Sequence, residues 1–214
     1  MGDTRRAAIC DIDGVLLHNG TLDVDFAPYV GRLRGLVGNN AGEPWNPGEV
    51  ANDQRIRAAL PTIRHITDGG GKLVLMSHLG RPKGQRVSEM SLKPCISVLG
   101  DLLGQGVAFV NDCVGDDVQS AVNALEEGQV LLLENLRYHD EETGNDPGFA
   151  ARLAEFGDVY VNDAFGTAHR SHASNVGVAT YSKESAAGYL LEKEIKFIGG
   201  AVDEPKRPFV AILG

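Results

Sequence analysis

The sequence predicts a doubly wound α/β sandwich: about six parallel strands in one sheet, with helices packed on both faces. Three observations carry this. Short runs of Val, Ile and Leu recur along the 214 residues without polar alternation, as strands buried on both faces of a parallel sheet do. Amphipathic segments of helical period separate most of the runs, which is the pattern of repeated β-α-β units with right-handed crossovers. Glycine is abundant at 27 residues, so tight loops between elements are frequent.

The expected strands are Ala7–Cys10, Lys72–Met76, Val107–Val110, Gln129–Leu133, Asp158–Val161 and Pro208–Leu213. A first helix is expected over Asp23–Leu36, with Phe26, Val30, Leu33 and Val37 on one face. Asp53 is placed to cap a second, carrying Ile56, Leu60, Ile63 and Ile66. Ser91 precedes a third, carrying Ile96, Leu99 and Leu103. Asp146-Pro147 is a strong helix start, because proline suits the first helical position. A last, longer helix is expected over Glu184–Ala201. The stretch Val37–Val50 breaks the rhythm; it is loop-like and holds two prolines and the single tryptophan, Trp45. The whole reads as a Rossmann-like, three-layer domain.

Composition narrows the function classes. Twenty basic and 29 acidic residues give a net charge of −9, which argues against nonspecific binding to nucleic acid or an anionic membrane. Hydrophobic residues make up 43%, enough for a sizeable core. No apolar run approaches the ~20 residues of a membrane span, and no secretory leader is expected at the polar start. Cys10, Cys95 and Cys113 have neither metal-ligand nor C-x-x-C spacing and read as reduced thiols of a cytoplasmic protein.

Ligands of such a sheet bind beyond the carboxyl ends of the strands. The first strand delivers Asp11-Ile12-Asp13-Gly14 there, and the second delivers Ser77-His78-Leu79-Gly80-Arg81-Pro82-Lys83-Gly84. The fourth adds Glu134-Asn135-Leu136-Arg137-Tyr138-His139, and the fifth adds Asn162 to His172. A single arginine in such a loop is ordinarily a solvated group or the partner of a carboxylate. Here Arg81, Arg137 and Arg170 are expected to converge, with Arg55, His78 and His169 beside them. A cationic rim on an acidic chain points to a small, multiply anionic ligand, since arginine forks grip phosphate and carboxylate.

Longer motifs sharpen this. Gln54–Thr62, MSHLGRPKG at 76–84, LLLENLRYHDEE at 131–142, GDVYVNDAFGTAHRSHAS at 157–174, AAGYLLEKE at 186–194 and KRPFVAILG at 206–214 together resemble the phosphoglycerate kinases. The resemblance covers about Ala51–Gly214 and is to the amino-terminal, 3-phosphoglycerate-binding half. It implies that Arg55 is the catalytic arginine, stabilising the phosphoryl group in flight. It implies that Asp11, Asp13, Arg55, His78, Arg81, Arg137, His169 and Arg170 line the substrate site. The implied reaction is phosphoryl transfer between 1,3-bisphosphoglycerate and ADP in glycolysis, where positioning and charge neutralisation dominate. Mg²⁺ and ATP/ADP are implied cofactors of the complete enzyme, with none expected on this chain alone.

The resemblance divides the chain into a substrate domain over 1–205, with 23–50 as an atypical insertion, and the opening of a nucleotide-binding domain at 206–214. No Walker-type loop replaces that second domain. A partner domain in trans, or another subunit, is therefore expected for turnover. The start also departs from the family: Asp13 stands where an amide is expected, and a carboxylate facing an anion weakens binding. Two other readings follow. Asp11-Ile12-Asp13-Gly14 is similar to the D-x-D-G opening of haloacid-dehalogenase-type phosphatases, with Asp11 as nucleophile, Asp13 as acid/base and both on Mg²⁺. Ser77, Lys83 or Lys93, and Asp158 with Asp163 would then supply the later motifs. Alternatively the chain is an inactive pseudo-enzyme or assembly subunit that docks through the old rim or through Trp45.

Overall fold

A computed structural model describes residues 7–12, 50, 53–205 and 207. Expectations about Asp13, Trp45, the helix over 23–36, most of the 37–50 stretch and the strand over 208–213 lie outside the described residues.

Six parallel strands form one sheet: β1 (Ala7–Ile12), β2 (Lys72–Met76), β3 (Val107–Phe109), β4 (Val130–Leu132), β5 (Val159–Asp163) and β6 (Glu184–Ala187). Their order is β3-β4-β2-β1-β5-β6, so the chain starts at the centre and winds outward in both directions. Seven helices accompany them among the described residues. They are α1 (Gln54–Asp68), α2 (Cys95–Leu103), α3 (Asp116–Ala124), α4 (Asp140–Gly144), α5 (Pro147–Ala154), α6 (Val178–Tyr181) and α7 (Tyr189–Asp203).

Strand alternation explains the layers. Cys10, Leu73, Leu75, Val130 and Leu132 face one way and pack with Ile56, Ala59 and Ile63 of α1 and Cys95 and Leu99 of α2. Ile9, Val74, Met76, Leu131 and Leu133 face the other way, against Val118 and Val122 of α3 and Phe149, Ala150 and Leu153 of α5. Central strands buried on both sides have no polar face, which is why their sequences read as unbroken apolar runs.

Two local expectations are corrected. Glu184–Ala187 is an edge strand paired with β5, not the start of a helix. All four of its residues are exposed, so backbone pairing rather than an apolar pattern makes it a strand, and periodicity gives no sign of it. The helix begins only at Tyr189, where Asp163 Oδ1 accepts from the amides of Leu190 (2.8 Å) and Leu191 (3.1 Å). Asp53 does stand at the start of α1, but its side chain bonds no helix amide; it pairs instead with Arg57 at 2.8 Å. The Asp146 start holds as read, with Oδ1 accepting from Phe149 N–H at 2.8 Å and Pro147 at the first turn.

Candidate anion site at the carboxyl edge of the sheet

The register of the central strands brings Asp11 opposite Met76 on one side and Asn162 on the other. The carboxyl ends of β1, β2 and β5 therefore lie side by side, and the loops after β2 and β5 leave the sheet from this edge. The loop after β4 joins them, because Leu136 N–H donates to Ser77 O at 3.1 Å.

Arg137 is anchored on this edge. Its Nη1 donates to Gly80 O at 2.7 Å, and its carbonyl accepts from Gly84 N–H at 3.3 Å. Gly80 has φ +64, a left-handed conformation that a β-carbon would strain, and its Cβ would also press on the Met90 thioether. His78 is buried, 6% exposed. Burial, then the charges of Arg137, His172, Arg170 and Arg55, push its imidazole down to about 3, so it is neutral at physiological pH. Arg137, Arg170 and Arg55 thus lie near enough to this buried ring for their charges to act on it. Arg55 lies in the first turn of α1, and Arg55, Arg81, His169 and Arg170 are all exposed. For Asp11 the structure fixes the strand position alone, and Asp13 is outside the described residues.

A buried polar shell that the motifs only hinted at holds the loops. Glu142 accepts from Ser174 N–H (2.9 Å) and Ser174 Oγ (2.7 Å), and its Oε1 lies 3.5 Å from His172 Nδ1. Asn175 Nδ2 donates to Thr167 O at 3.0 Å, while its Oδ1 accepts from His172 N–H at 2.9 Å. These contacts fix the loop that carries His169 and Arg170. His172, Glu134 and Asn135 stand among the strand-end residues, yet nothing in their spacing marks them as supports; burial reveals it.

One trio, Asp112, Cys113 and His139, brings its donor atoms within 4.8 Å of one another. Each already has a protein partner. Asp112 pairs with Arg86 (2.5 Å) and His139 (2.7 Å), and the Cys113 thiol donates to Glu134 O at 3.0 Å. Burial first, then neighbouring carboxylates, push that thiol up and keep it protonated, which suits a hydrogen-bonded knot better than a metal centre. A groove of about 590 Å³ opens nearby, lined by Arg86, Ser88, Ser91, Lys93 and Tyr138 and by none of the rim arginines.

The sequence pattern of the phosphoglycerate kinase family matches residues 37–214. The chain belongs to the phosphoglycerate kinase family. It is 53% identical over 191 residues to a phosphoglycerate kinase of Chloroherpeton thalassium, covering 89% of this chain and 48% of that relative. A phosphoglycerate kinase of Moorella thermoacetica is 56% identical over 181 residues, covering 85% and 46%. Among solved structures, the phosphoglycerate kinase of Coxiella burnetii superposes with a TM-score of 0.73 at 32% identity, over 95% of this chain and 44% of that one. The chain thus spans about half the length of the curated relatives it matches. The phosphoglycerate kinase match begins at residue 37, inside the 23–50 stretch read above as an insertion. The phosphatase and pseudo-enzyme readings gain no support from these matches, and Asp163 has a structural task as the cap of α7.

Proposed function

We propose that this chain is the 3-phosphoglycerate-binding part of a phosphoglycerate kinase, over residues 1–205, with 206–214 leading into a nucleotide-binding part. The proposal is supported most by Arg137, Arg170 and Arg55, whose charges all act on the buried, neutral His78. Three guanidiniums at one strand edge match a ligand with a phosphate at one end and a carboxylate at the other. Arg137, fixed by Gly80 O, and Arg170 bind; Arg81, His169 and His78 complete the grip. Arg55, at the exposed start of α1, neutralises the phosphoryl group as it passes between the substrate carboxylate oxygen and the ADP terminal phosphate. Asp11 and Asp13 contribute from the β1 end, and Asp13 sets a carboxylate against the ligand's charge.

The rim arginines suit an anion rather than a metal ion, so Mg²⁺ and ATP/ADP are expected on the other half of the kinase, where the metal would neutralise phosphate charge. That half, covalent or in trans, is the expected partner; nucleic acid is not. Glycolytic work in the cytoplasm agrees with three buried cysteines that form no disulfide. No helix among the described residues is long and apolar enough to cross a membrane.

Calorimetric titration of the chain with 3-phosphoglycerate, with and without Mg²⁺, tests the reading. Binding should be saturable, insensitive to Mg²⁺, and roughly 10- to 100-fold weaker in Arg137→Ala, the loss expected for about 1.5–3 kcal/mol of charged hydrogen bonding. Equal affinity in wild type and mutant would remove Arg137 from the site.

A further inference from the structure

Asn135 is fully buried, and its side chain bonds groups of two site loops. Every hydrogen-bonding position of its amide is used. Oδ1 accepts from Leu79 N–H (3.2 Å) and Arg137 N–H (3.1 Å), while Nδ2 donates to Leu79 O and Met90 O, both at 2.8 Å. Glu134, the residue before it, extends the same seam. Its carboxylate accepts from Ser91 Oγ (2.7 Å), Leu92 N–H (2.8 Å) and Asn135 N–H (2.8 Å). The segment after β4 thus holds both ends of the loop that carries Gly80 and Arg81.

We propose that Asn135 is a positioning residue for anion binding, one that locks the 79–90 loop and the Arg137 backbone into a single preformed unit. The inference rests on the reading of the rim as a 3-phosphoglycerate site. Its physical basis is preorganisation. Loops that must be ordered on binding spend interaction energy on that ordering, whereas loops already fixed do not. The Arg137–Gly80 bond depends on it directly, because donor and acceptor sit on the two loops that Asn135 joins. Two donors and two acceptors in one plane are what an amide supplies. Aspartate lacks the donors for Leu79 O and Met90 O, and alanine lacks all four contacts.

A purely structural role predicts lower stability alone, so the test separates stability from binding. Asn135→Ala is compared with Val122→Ala, a core truncation near the carboxyl end of α3. Two quantities are read on each 214-residue variant well below its melting temperature: affinity for 3-phosphoglycerate by calorimetry, and amide exchange without ligand. The chosen amides are Gly84, bonded to Arg137 O, and Leu92, bonded to Glu134; neither touches Asn135. Asn135→Ala should weaken affinity at least tenfold and speed exchange at both amides at least tenfold, with β5 amides unchanged. Val122→Ala should do neither at a similar loss of melting temperature. Unchanged affinity in Asn135→Ala, with or without faster exchange, overturns the proposal. If the wild-type chain does not bind 3-phosphoglycerate, the functional reading fails and the exchange arm alone decides for or against Asn135. If Asn135→Ala does not fold, Asn135→Ser carries the same two measurements.

Discussion

His78 concentrates the electrostatics of the site in one residue. Its neutral form is favoured by burial and then by the charges of neighbouring groups, Arg137 foremost, with the ring at about 3 against an ordinary 6.5. The unfolded chain binds the proton more readily, so the group supports folding fully above pH 6.5. That support is lost as pH falls from 6.5 towards 3, by at most about 1.4 kcal/mol per pH unit. Urea unfolding of wild type and His78→Gln from pH 7 to 4 should show a shallower acid loss in the mutant; parallel curves would contradict the account. A bound anion offsets part of this shift, because it counters the arginine charges that add to burial in keeping the proton away. In proton NMR, the His78 titration should move to higher pH when 3-phosphoglycerate is added, and a ring indifferent to ligand would place the ligand elsewhere.

Among the elements, α7 depends on one side chain. Asp163, at the end of β5, accepts from the amides of Leu190 and Leu191, and a negative group at a helix start also meets the helix dipole favourably. Gly188 precedes the helix and passes so close to Asp163 that any β-carbon would collide with the carboxylate. Asp163→Ala should cost about 1–2 kcal/mol and lower helical circular dichroism. Gly188→Ala should disturb the same junction, and full stability in both variants would count against this cap. The sequence shows the central strands and the Asp146 start because each expresses a local rule: an apolar run, or an N-cap before proline. It conceals β6 because Glu184-Ser185-Ala186-Ala187 is held by pairing with β5, a long-range cause with no local pattern. The candidate site divides in the same way. His78, Arg137 and Arg170 are legible as polar residues after apolar strands, and Arg55 through the family resemblance. Asn135, Glu142, His172 and Asn175 are not, because their work is to satisfy backbone groups brought together only by the fold.

The whole molecule is a sheet with an apolar layer on each face, and the two layers should answer separately to truncation. Phe149 is fully buried on the α5 side, and Phe149→Ala should cost roughly 3–5 kcal/mol in denaturant unfolding. Ile63 is fully buried on the α1 side, and the milder Ile63→Val should cost roughly 0.5–1.5 kcal/mol. The two losses should add, since the residues belong to different clusters. At this scale too, an acidic chain of net charge −9 brings Arg137, Arg170 and Arg55 near the buried His78, and the proposed ligand binds at this edge. The most direct measurement is an amide ¹H–¹⁵N NMR titration of the chain with 3-phosphoglycerate. The account predicts saturable shifts at His78 to Arg81, Arg137 and Thr167 to Arg170, with the Arg55 turn following. Saturable shifts confined to Arg86–Lys93 around the neighbouring groove, or no shifts at any ligand concentration, would contradict it.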